Sequence, residues 1–120
     1  MSISLWLARK GNVGETARWV GKLYLSIMQE NPSAPLTVVM SDIIKFRYAA
    51  KSSESTKDAL LSHVESGESR GLAHLVTNIL TVEAGFQENT QKHRFQFMKL
   101  IQEELQKFGI PEKIIYDDRI

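Results

Sequence analysis

Apolar residues recur along this chain mostly at helical spacing, and one stretch stands apart from the rest. Residues 71–82, GLAHLVTNILTV, carry no charged side chain, although Asp, Glu, Lys and Arg make up 24% of the sequence. At ~100° per residue, Leu72, Leu75, Val76, Ile79 and Phe86 fall on one side of a helix. The other side holds His74, Thr77, Asn78 and Thr81, which are polar but neutral. A surface helix would place Lys and Glu there. The pattern therefore predicts a central helix over 71–85, covered on most sides, with Gly85 able to supply the left-handed C-cap.

The flanking segments carry the same period. Val13, Thr16, Ala17, Val20, Leu23, Tyr24 and Ile27 share a face, predicting a helix over 13–30. Gly21 lies on a second stripe with Leu25 and Met28 and would let another backbone come close. Before it, a short helix or turn over 2–10 should end at Gly11, with Gly11-Asn12-Val13-Gly14 as a turn. Asn31 to Pro35 is a break. Segment 36–51 is β-branched in places, but Leu36, Val39, Ile43, Phe46 and Ala50 recur at steps of three and four, so a helix with those residues inward is expected. Ser55 and Asp58 resemble a capping box for a helix over 56–66 with Ala59, Leu60 and Val64 inward. Asn89 or Thr90 can cap a last long helix to Phe108, with Phe95, Met98, Ile101, Leu105 and Phe108 inward. Gly109-Ile110-Pro111 should stop it, with Ile110 packing back on the last turn. The tail over 112–120 is an extended arm or a further short helix. Together these elements predict an all-α, single-domain bundle over 1–120 with about five helices around the central one.

Composition bounds this picture without changing it. The 120 residues can bury a substantial core unaided. The absence of cysteine excludes disulfides, thiolate metal sites and thiol nucleophiles. No apolar run reaches the roughly 20 residues that span a bilayer. The first residues place their charges after their apolar positions, the reverse of a secretory signal, and a cytoplasmic setting is expected. The net charge is only +1, yet residues 1–52 carry Arg9, Lys10, Arg18, Lys22, Lys45, Arg47 and Lys51 against Glu15, Glu30 and Asp42. This asymmetry could favour a head-to-tail contact or an anionic partner for the N-terminal half.

Candidate chemistry is sparse. His63, His74 and His93 make no recognised ligand spacing, so no metal or cofactor is expected, and a partly buried, hydrogen-bonded His74 is the simplest expectation. Glu103 and Glu104 are adjacent, hence ~100° apart on a helix, and cannot face each other as a catalytic pair. No nucleophile elbow is present. The Gly11–Gly14 stretch lacks both the ending of a phosphate-binding Walker loop and the preceding strand of a dinucleotide site.

Two functional expectations remain. The first is a non-enzymatic protein–protein interaction module that self-associates as a homo-oligomer or binds another protein. Leu25, Met28, Phe97, Leu100 and Tyr116 are its candidate interface, since they fall outside the best single stripes. The second is a nucleic-acid-binding regulator with a helix-turn-helix-like segment at 56–85. It would draw its phosphate contacts from Arg9, Lys10, Arg18, Lys45, Arg47 and Lys51, because such affinity rests largely on cations. A pocket gathering His74 with Glu83 or Asp42 would instead favour an enzyme.

Overall fold

The computed structural model describes residues 3–84 and 91–117, with side chains over 10–83 and 96–117. Among these residues lie six α-helices and no strand. They are α1 (Ile3–Glu30), α2 (Leu36–Arg47), α3 (Glu54–Ser66), α4 (Leu72–Ala84), α5 (Gln91–Gln106) and α6 (Glu112–Tyr116), with a 3-10 turn over Lys51–Ser53. The expected all-α bundle is the observed fold, and the tail supplies the sixth helix.

α4 occupies the centre. It packs against α1, α3, α5 and α6. Leu72, Ala73, Leu75, Val76, Ile79 and Leu80 are all buried, a face too wide for a helix resting on one neighbour. Its polar residues close on the chain itself. The Thr77 hydroxyl donates to the Ala73 carbonyl at 2.9 Å, and that of Thr81 to the Thr77 carbonyl at 3.0 Å. The Asn78 amide donates to the hydroxyl of Ser69, itself buried, at 2.7 Å.

α1 departs from the sequence expectation. It is one 28-residue helix running through Gly11–Gly14, with no turn there. Each interior glycine costs about 1 kcal/mol against alanine. Burial of Val13, Thr16, Ala17 and Val20 offsets that cost. At Gly21 a side chain, not a backbone, makes the close approach: a Cβ there would stand 2.6 Å from the Phe108 ring.

The other boundaries follow local chemistry with two changes. α3 begins at Glu54, so Ser55 lies inside it and the expected capping box is not formed; Ser53 occupies the N-cap without a side-chain bond. α2 buries Val39, Met40, Ile43 and Ile44. That face is rotated from the predicted one, and Phe46 points out. At the end of α5, Gly109 takes φ +75° and Ile110 is 3% exposed, the stop expected from the sequence. Pro111 then starts α6, which buries Ile115 completely and seats against the N-terminus of α4. Gly71 makes this seat possible: a Cβ there would run into the Ile115 backbone, 2.8 Å from its carbonyl carbon. The Tyr116 hydroxyl fastens α6 to α5 by donating to Gln102 Oε1 at 2.6 Å. The predicted caps Gly85, Asn89 and Thr90, and the predicted core residue Phe86, lie outside the described residues; so does the Phe95 side chain.

Candidate functional site

Among the described residues, the large apolar side chains turned furthest outward are on α2. Val38 is 46% exposed and Phe46 72%. They stand four residues either side of Asp42, so all three lie on one stripe of the helix, each step turning ~40°. Lys45 borders the stripe, and Asp42 and Lys45 are both exposed. The inner face of the same helix is fixed by its buried aliphatic residues, which leaves this outer face no freedom to turn inward.

The C-terminal end of α2 also closes a cleft of about 160 Å³ lined by Asn12, Glu15, Thr16, Trp19, Arg47, Ile79, Leu80 and Glu83. The Arg47 guanidinium lies 4.7 Å from the centre of the Trp19 ring, a cation–π stack. Tyr48 meets the same ring edge-on at 6.3 Å. Its hydroxyl donates to Glu83 Oε2 at 2.5 Å. Burial, and then the Glu83 carboxylate, push the Tyr48 hydroxyl well above its ordinary range. Tyr48 therefore holds its proton as the donor of this bond and is poorly suited to act as a base. Glu83 lines the cleft; His74 and Asp42 do not.

The basic residues named from the sequence lie on α1, on α2 and in the 3-10 turn. Arg18 turns toward α5, where it sits 3.6 Å from Glu104, a carboxylate also held by Lys107 at 3.0 Å. Glu104 is 7% exposed. A nearly buried acid needs such partners, and the sequence reading assigned Glu104 no role. Arg47 is on the α2 side of α1, stacked on Trp19. Lys10, Lys45 and Lys51 are exposed, and the Arg9 side chain is outside those described.

Of the residues named as an interface, Leu25 and Met28 lie on α1, Phe97 and Leu100 on α5, and Tyr116 on α6. Leu25 is 36% exposed; Met28, Leu100 and Tyr116 are partly buried and pack against the core. Phe97 is 6% exposed and belongs to that core. A ring so enclosed is closed to a partner in this fold.

His74 is partly buried, as expected, and its Nδ1 has no hydrogen-bond partner among the described residues. His63 is alike at Nδ1, while its Nε2 lies 3.4 Å from Glu68. Among the described residues no group of His, Asp and Glu could hold a metal ion. No helix among them is long and apolar enough to cross a membrane.

What the described residues define is an all-α domain with an outward apolar stripe on α2 and a small mixed-charge cleft beside it. No protein-family model matches the chain, and no curated protein or solved structure matches it either.

Proposed function

We propose that this chain is a non-enzymatic interaction module that associates with itself. The outward Phe46 ring carries this reading: at 72% exposure it is the most exposed large apolar side chain among the described residues. Val38 extends the surface along the same helix face. Single exposed hydrophobic residues are common, but burying a Phe is worth about 1.5–3 kcal/mol, so a surface that covers Phe46 gains by doing so. The test is the solution mass measured by sedimentation equilibrium from micromolar to millimolar protein. A mass that rises with concentration, and rises less after Phe46→Ser, is the expected result. A monomer throughout would overturn the reading.

A further inference from the structure

We propose that the self-contact is α2 against α2 of a second copy, antiparallel about a two-fold axis at the level between Ile43 and Ile44. This rests on the self-association proposed above and adds which face meets which. The outer face of α2 carries one acid and one base, Asp42 and Lys45, placed symmetrically about that level. In an antiparallel pair, residues equally distant from the axis stand at the same height on opposite helices. Asp42 of each copy then stands level with Lys45 of the other, so two ion pairs form across the seam. The same register brings both Phe46 rings to one side of the seam, where each covers apolar surface of the other copy. A parallel arrangement in register would instead set Asp42 against Asp42 and Lys45 against Lys45. The face is thus complementary to itself in one orientation and repulsive in the other, which selects a second copy as the occupant.

Among the described residues nothing competes for these charges. Asp42 and Lys45 form no ion pair with each other or with any other described residue. α2 has 12 residues. At ~1.5 Å rise per residue, its face is only ~18 Å long. Such a contact falls short of the ~800 Å² per partner of a standard stable interface and belongs with weak, reversible ones. The dimer is therefore a high-concentration species.

Charge reversal at these two exposed positions tests the arrangement. Sedimentation equilibrium is run on the whole chain, on Asp42→Lys, on Lys45→Asp and on the double variant, with thermal melts to establish that each is folded. Each single reversal converts two attractions into two repulsions and should weaken dimerisation roughly three- to tenfold. The double variant restores opposite charges across the seam and should return to within about twofold of the parent. A dimer whose strength ignores all three variants, or a double variant no better than the singles, overturns the α2 seam and leaves self-association standing through another face. A parent chain that stays monomeric overturns both.

Discussion

α4 and α2 contain similar shares of apolar residues, and the fold treats them differently. α4 turns its aliphatic side chains toward α1, α3, α5 and α6 and closes its hydroxyls on its own carbonyls. α2 buries Val39, Met40, Ile43 and Ile44 but leaves Val38 and Phe46 in water beside Asp42 and Lys45. Charge separates the two helices better than apolar content does. From Leu72 to Val82, α4 has no charged side chain and so little that demands water, whereas Asp42 and Lys45 fix which side of α2 stays out. Any apolar residue sharing that side is exposed with them.

The contrast is sharpest in truncation. Leu75→Ala in α4, at a fully buried position, should cost ~2–5 kcal/mol in urea unfolding. Val38→Ala on α2 should stay within ~0.5 kcal/mol. Equal costs at the two positions would break the contrast. Next in size is Gly71→Ala, where the new methyl meets the Ile115 backbone, which cannot rotate away as a side chain could. A loss of ~1–3 kcal/mol is expected, together with faster hydrogen exchange in α6.

Tyr48→Phe removes the bond to Glu83 that joins α2 to α4 and should cost ~0.5–1.5 kcal/mol at neutral pH. Its pH dependence has a defined sign. The folded state raises the Tyr48 hydroxyl above its ordinary value of 10.0. Its stabilisation is full below pH 10.0 and is lost as pH climbs from there through the folded value. The Phe variant should therefore lose stability less steeply than the parent above pH 10.0. Some alkaline slope remains in both, because burial also raises Tyr24. The smallest effect on stability is expected from Phe46→Ser, within ~0.5 kcal/mol of the parent in urea unfolding. The same variant should show the clear loss of self-association.

Much of this architecture was legible in the chain because it is written in local patterns. The central helix follows from an uncharged apolar run, and the end of α5 from Gly109 and Ile110. The breaks at Gly11–Gly14 were misread for a physical reason. Glycine's cost is local, while the burial of Val13, Ala17 and Val20 that outweighs it is supplied by distant helices. Phe46 was misplaced because two overlapping helical frames fit α2, and only the fold selects the one containing Met40 and Ile44. The cleft was invisible for a third reason. Trp19, Arg47 and Glu83 come from three helices, and no spacing rule links Tyr48, just past α2, to a carboxylate 35 residues away. Of the candidate cations, Arg47 does reach the cleft, while Arg18 is engaged by Glu104.

The seat of α6 on Gly71 also bears on how the chain is made. α4 leaves the ribosome well before the segment that covers its N-terminus. At ~5–20 residues per second, the ~40 residues from Gly71 to Ile115 take ~2–8 seconds to add. Through that interval the end of the central helix lacks its cover, and Leu72 has no Ile115 helix beside it. A nascent chain halted before residue 115 should thus hold the bundle in a looser form, which proteases and chaperones would sense before release.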